Sequence, residues 1–252
     1  MRNSVLAAAL LVLFLGCGSA WAADPAAATY NWTGFYAGLN TGFAKDASGY
    51  SIDPASGVYD TGDFADLAFI FGGQAGYNFQ CCNFVYGLET DISYDGMGDS
   101  VTGSGVEFLA AGAPAAPAPG SSYTVTQEID FFGTLRGRLG YTPTDRLLLY
   151  VTGGLAYGEV SSSTSYSFRF FGTGAPAFPG STFSGSSSGM LVGWTVGAGG
   201  EYALNNCWSV KLEYLYVDLG SMSYPVPVAG TTLTTNISTA QNVFRVGLNY
   251  KF

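Results

Sequence analysis

An alternation with a period of two residues recurs in eight separate segments of this chain, and it keeps ionisable side chains on the same side as glycines. Successive side chains of a β-strand point to opposite faces, so this pattern reads as strands with two unlike faces. Over residues 32–44, Phe35, Ala37, Leu39 and Phe43 share one face, and Tyr36, Gly38, Asn40 and Gly42 the other. Over 68–79, Phe69, Phe71, Ala75 and Tyr77 oppose Gln74, Gly76 and Asn78. A third segment sets Phe84, Tyr86, Leu88, Ile92 and Tyr94 against Gly87, Glu89, Asp91 and Ser93. In the fourth, around 126–141, Ile129, Phe131, Leu135 and Leu139 oppose Asp130, Thr134, Arg136 and Arg138. The fifth, 147–157, places Leu149, Val151 and Leu155 against Tyr150, Thr152 and Gly154. The sixth opposes Val192, Trp194, Val196 and Tyr202 to Gly193, Thr195, Gly197 and Glu201. The seventh opposes Val210, Leu212, Tyr214 and Tyr216 to Lys211 and Glu213. The last sets Phe244, Val246, Leu248, Tyr250 and Phe252 against Arg245, Gly247, Asn249 and Lys251.

Solvation decides which face points where. A soluble barrel of the lipocalin type buries its apolar face and wets its charged one. A membrane barrel inverts this, because a charge turned toward hydrocarbon costs about 2–4 kcal/mol at the midplane. Here the apolar face is too bulky and aromatic for the inside of eight strands, whereas Gly, Thr, Asn and a few charges can fill a narrow lumen. The expected fold is therefore all-β: a transmembrane antiparallel up-and-down barrel, eight-stranded, in one domain. Short connections at 80–83, 142–145 and 204–207 alternate with long ones at 45–67, 95–122, 159–189 and 219–240. That alternation fits short periplasmic turns and long outer loops. The second long loop contains an Ala/Pro-rich stretch at 110–120, and the third contains Tyr166, Phe168 and Phe171, which can extend the strands and leave ten strands open.

The first 22 residues read as a leader: Arg2 is the positive n-region, 5–15 a short apolar run, and Ala20-Trp21-Ala22 a small-x-small cleavage site. The apolar run is too short to cross a bilayer as a helix. A competing reading makes Cys17 a lipoprotein cysteine, although Phe14 and Leu15 fit that signal poorly. The domain is expected to span 23–252. Without the leader the chain has 8 basic and 18 acidic residues, a net charge of −10, which argues against nucleic acid as a partner. Cys81, Cys82 and Cys207 remain, an odd number that permits no complete disulfide framework. They read either as incidental turn residues or as a redox-sensitive bond in an oxidising compartment.

The chemistry of catalysis is thin. The chain has no histidine, the side chain whose pKa sits nearest neutrality. Nucleophile elbow, phosphate loop and His/Cys metal spacing are all lacking, so neither an enzyme, a cofactor nor a metal site is expected. One constellation is coherent: Arg136, Arg138, Lys211 and Arg245 face inward with Glu89, Asp91, Asp130, Glu201 and Glu213. Buried charges need partners. The group reads as a salt-bridged plug of the lumen, or alternatively as the lining of a constricted ion path. The loops are acidic, with Asp46, Asp53, Asp60, Asp63, Asp66, Asp95, Asp99 and Glu107. Such carboxylates solvate a surface, or hold divalent cations weakly and bridge to anionic lipopolysaccharide.

Several stretches carry a family resemblance. Residues 31–40, Asn31-Trp32-Thr33-Gly34-Phe35-Tyr36-Ala37-Gly38-Leu39-Asn40, resemble the opening strand of the porin-family outer-membrane immunogenic proteins, small OmpA-like barrels. Residues 133–141 are similar to their fourth strand, 193–199 and 210–216 to their sixth and seventh, and 245–252 to their ending. The chain departs from them in its longer Ala/Pro loop and its Cys81-Cys82 turn. The resemblance implies a surface barrel of the cell outer membrane that supports envelope integrity. A narrow porin-like pore for small solutes and an adhesin binding a host or matrix ligand through its loops are the alternatives. Expected partners are outer-membrane lipid, lipopolysaccharide and the outer-membrane assembly machinery. For the last of these, the alternation Leu248, Tyr250, Phe252 resembles the terminal assembly signal, and an apolar strand edge can pair with the machinery's own edge.

Overall fold

The computed structural model describes residues 30–53, 60–65, 67–104, 122–168, 181–228 and 231–252. The leader, the Ala/Pro-rich stretch, Asp66, Glu107 and Phe171 lie outside them. Ten strands follow in order: β1 (Gly34–Asp46), β2 (Gly49–Asp53), β3 (Asp60–Asp63), β4 (Leu67–Cys81), β5 (Phe84–Ser104), β6 (Ser122–Thr144), β7 (Leu147–Phe168), β8 (Ser181–Ala203), β9 (Trp208–Val228) and β10 (Thr231–Lys251). Eight of them close a ring, β1-β4-β5-β6-β7-β8-β9-β10, with β10 returning to β1. All pairings are antiparallel, and the closing register runs from Tyr36↔Lys251 to Asp46↔Gln241. The β2–β3 hairpin stays outside the ring and adds to β10 above β1, with Thr234↔Asp53 to Ser238↔Gly49. The described residues thus hold ten strands, eight of them in the barrel; the two outside it come from the first long connection and not from the segment after Tyr166.

Two expected long loops, 159–189 and 219–240, are largely strand, and the described part of 95–122 is strand as well. β5 to β10 each run 21 to 23 residues. About 9–11 tilted residues suffice to cross the hydrocarbon, so roughly half of each strand stands above it. The outer face records the boundary. Below it are Phe35, Leu39, Phe69, Leu88, Val151, Val192 and Leu212, all large, apolar and exposed. Above it the same outward positions become Thr126 and Glu128 on β6, Ser163 and Ser165 on β7, Ser184, Ser186 and Ser188 on β8, and Ser221 and Ser223 on β9.

The interior changes in the opposite sense. In the membrane band the buried inward side chains are Asn40, Gln74, Glu89, Asp91, Arg136, Lys211, Glu213 and Arg245. Above it an apolar core takes over, including Ile129, Phe132, Val160, Tyr166, Leu215, Val217, Leu219, Tyr224 and Ile237. A second, smaller apolar cluster of Tyr30, Trp32, Val85, Leu148, Tyr150 and Ala203 closes the periplasmic end. Trp32, read as the start of the first strand, precedes β1 instead and is buried there, its backbone N–H donating to Gln80 Oε1 at 2.8 Å. Each half of the barrel thus hides from its own solvent what that solvent does not solvate, lipid below and water above.

Bulges sit near the change of polarity. Registers shift between Tyr94 and Met97, between Ile129 and Phe131, and between Thr239 and Ala240. An extra residue in one strand reverses which parity faces inward beyond it. Ile129 and Asp130 were expected outward and inward; the bulge puts Ile129 in the core and exposes Asp130. The inner face of the wall is crowded, since a Cβ on Gly42 or Gly154 would lie 2.0 or 2.1 Å from the adjacent strand's carbonyl oxygen. That crowding is why small residues share the inner face with the charges.

Candidate functional site: the ion-paired lumen

Four ring strands supply the central knot. Glu89 and Asp91 sit two apart on β5, Lys211 and Glu213 two apart on β9, Arg136 on β6 and Arg245 on β10. The spacing of two puts each pair on the inward face. Arg136 spans the lumen: Nη2 reaches Asp91 Oδ2 at 2.9 Å, Nη1 reaches Glu213 Oε1 at 3.1 Å, and a further contact meets Glu89. Arg245 repeats this from the other wall, with Nη2 at 2.9 Å from Asp91 Oδ2 and 2.7 Å from Glu213 Oε2. Lys211 Nζ lies 2.8 Å from Glu89 Oε1 and 3.6 Å from Glu213 Oε2. Toward the periplasm, Arg138 pairs with Glu201, and its guanidinium lies 3.6 Å over the Tyr150 ring.

Neutral side chains complete the shell. Tyr36 donates to Glu89 at 2.7 Å and Tyr150 to Glu213 at 2.9 Å. Thr134 donates to Asp91 at 2.7 Å, and Asn249 to Glu201 at 2.9 Å. Gln74 donates to Asn249 at 2.6 Å and accepts from Asn40 at 3.2 Å. The alternation had placed Tyr36, Tyr150 and Thr134 inward without joining them to the charges. The signal was their shared parity with ionisable residues on neighbouring strands.

Eight of the nine sequence-nominated charges therefore meet: Glu89, Asp91, Arg136, Arg138, Glu201, Lys211, Glu213 and Arg245, none more than 4% exposed. Four are cations and four carboxylates, so the cluster is formally neutral. Asp130 is the exception, turned outward by the β6 bulge. Removing one member of a buried pair costs about 3–5 kcal/mol, because a charge is left without compensation. The balance of the set is what permits its burial at all.

The remaining sequence candidates do not assemble. Asp46 and Asp95, expected on loops, are buried at strand positions, where they accept backbone N–H groups of Ser48 at 2.7 Å and Met97 at 3.1 Å. Asp99 accepts from Ala65 and Ser100, Asp63 is exposed, and Asp53 and Asp60 belong to β2 and β3. Among the described residues no three such side chains gather in a way that would hold a metal. Cys81 ends β4 and Cys82 lies in the exposed β4–β5 turn at φ 57°, with Cys207 in the β8–β9 turn across the ring. At the chain end, Leu248 and Phe252 face outward, Tyr250 stacks edge-on with both Trp208 and Phe252, and the Phe252 N–H donates to Phe35 O at 3.0 Å.

Comparison with known proteins places this geometry. A family model described as "Outer membrane protein beta-barrel domain" matches residues 8–252. The 31 kDa outer-membrane immunogenic protein of Brucella melitensis is 40% identical, over 99% of this chain and 100% of its own length. The 22 kDa outer membrane protein of Rhizobium leguminosarum is 30% identical over 88% of this chain and 79% of its own. Among solved structures, the outer membrane protease OmpT from Escherichia coli matches with a TM-score of 0.52 at 12% identity, covering 89% of this chain and 99% of that one. OprG from Pseudomonas aeruginosa matches with a TM-score of 0.52 at 14% identity, covering 89% and 98%. At such identity the two structures share the fold alone. By the extent of the family match and of the Brucella likeness, the chain belongs to the outer-membrane β-barrel proteins.

Proposed function

We propose that this barrel is a non-enzymatic structural protein and surface antigen of the outer membrane, stabilising the envelope and passing no solute. The observation that carries the reading is the neutral set of eight buried charges across the lumen, roofed by one apolar cluster and floored by another. An ion path needs charges that water and a mobile ion can reach. Here every one is committed to a protein partner, and eight strands leave an interior that side chains just fill. The outer half of the barrel, polar outside and packed inside, is a rigid display surface, in keeping with the immunogenic naming of the Brucella relatives. Catalysis has no support in a chain without histidine whose lumen carboxylates are each paired with a cation.

Lipopolysaccharide is the partner this shape suits, since the Ser/Thr-rich outer wall stands at the height of its sugars. The assembly machinery is the other, through the Leu248, Tyr250, Phe252 alternation. A deletion strain assayed for both detergent sensitivity and small-solute uptake tests the function. Heightened detergent sensitivity with unchanged uptake is expected. Lost uptake with an intact barrier would favour a pore, and binding of a host component lost with the loops would favour an adhesin.

A further inference from the structure

From the upper edge of the hydrocarbon band outward, the barrel wall has a seam. β8 is laddered to β7 along its whole length, and β9 to β10 from Trp208 to Val228. Between β8 and β9 the register runs only from Ala203↔Ser209 to Trp194↔Asp218. No ladder joins 181–193 of β8 to 219–228 of β9.

The sequence of β9 accounts for the break. At its start Gly220 adopts φ +88°, with its N–H donated to Asp218 Oδ1 at 2.8 Å, and Leu219 is the extra residue of the bulge opposite Thr239 and Ala240. Beyond the bulge come Pro225 and Pro227, opposite Thr234 and Thr232 of β10. The ladder to β10 continues past both prolines, so the N–H groups they lack are those that would point at β8.

The seam is pinched at both ends and open between. A Cβ on Gly193 would lie 2.0 Å from the Asp218 carbonyl oxygen, and one on Gly185 3.0 Å from that of Pro225. A Cβ on Gly189, midway, would meet nothing within 4 Å. Outside this opening Met190 and Val192 are 54% and 68% exposed, continuous with Trp194 and the lipid-facing belt. Inside it Leu191 packs against the upper apolar core, of which Leu219 and Met222 are members. Apolar side chains therefore lie on both sides of the opening, Met190 and Val192 outside and Leu191, Leu219 and Met222 within.

The pinches leave no room for another strand, which needs about 4.8 Å on each side, and the prolines withhold the hydrogen bonds that strand would want. A single alkyl chain needs neither. We propose that the lower end of the β8–β9 seam, where it meets the hydrocarbon, seats the end of one acyl chain of an outer-leaflet lipid, with Met190 and Val192 along its outer side and Leu191, Leu219 and Met222 along its inner side. The seam lies above the ion pairs, so a chain held there is gripped at the leaflet and has no path through the lumen.

Photo-crosslinking tests this without altering the protein. The full barrel is placed in nanodiscs containing phosphatidylcholine with a diazirine in one acyl chain, irradiated, and its adducts mapped by tandem mass spectrometry. Adducts on inward-facing Leu219 and Met222, together with those on Met190 and Val192, are the expected result. Adducts confined to outward-facing residues would overturn the proposal. Gly189→Leu, which fills the opening, should abolish the inward adducts and spare the outward ones; persistence of inward adducts in that variant would also overturn it. Neither result depends on whether the lumen conducts.

Discussion

Arg245 on β10 holds Asp91 on β5 at 2.9 Å across the lumen, at a sequence separation of 154. The same carboxylate oxygen accepts from Arg136 at 2.9 Å, so Asp91 ties two walls of the barrel together. Arg136→Ala should strand Asp91, Glu89 and Glu213 with one cation fewer, lowering stability by about 3–5 kcal/mol. Asp63→Asn, at an exposed carboxylate, should shift it by less than about 0.5 kcal/mol. Urea titrations of the refolded proteins in detergent measure both. Equal tolerance of the two changes would mean that water already screens the lumen charges.

Closure of β10 on β1 leaves the membrane band without a free edge. Closed barrels satisfy their backbone hydrogen bonds internally and resist detergent until heated. Unboiled protein should therefore migrate differently from boiled protein in detergent gels. Identical mobility would contradict a closed ring.

The prolines of β9 make a sharper forecast. Replacing Pro225 and Pro227 together by valine restores two N–H groups on the edge facing β8. The ladder should then extend past Asp218, each added bond contributing about 0.5–1.5 kcal/mol. Hydrogen exchange over 185–191 should slow. Unchanged exchange there would show that the Gly220 bulge alone parts the strands.

Phe252 belongs to an aromatic row with Tyr250 and Trp208 at the periplasmic rim. A role in recognition by the assembly machinery and a role as interfacial girdle predict different defects. Phe252→Ala should reduce insertion in cells much more than refolding of purified protein into micelles. Equal losses in the two assays would leave only the girdle role.

Period-two alternation located all eight ring strands and the facing of most of their residues, because a two-faced wall writes itself into every second position. It carried the parity of Arg136 and Leu135 straight on to Asp130 and Ile129, and failed there because a bulge leaves no mark in polarity alone. The upper half of β8 was invisible for another reason, and that of β7 was legible only in its aromatic run from Tyr166. Above the membrane the outward residues are Ser163, Ser165, Ser184 and Ser186, whose polarity imitates a loop. Only the buried partners, such as Tyr166 and Val160, betray a strand, and the lipid-facing template discounts them. The charge cluster was legible as a set of like-facing ionisable residues. Its pairing was not, because contacts such as Arg245–Asp91 depend on the ring's closure, to which local sequence is blind.

The central claim is that the lumen is sealed by its own ion pairs, and conductance of the purified barrel in planar bilayers addresses it most directly. The unaltered protein is expected to give a flat baseline at neutral pH and moderate salt, because Arg136 and Arg245 are committed to buried carboxylates between the apolar clusters above and below them. Steady, well-resolved openings from the unaltered protein would contradict the account.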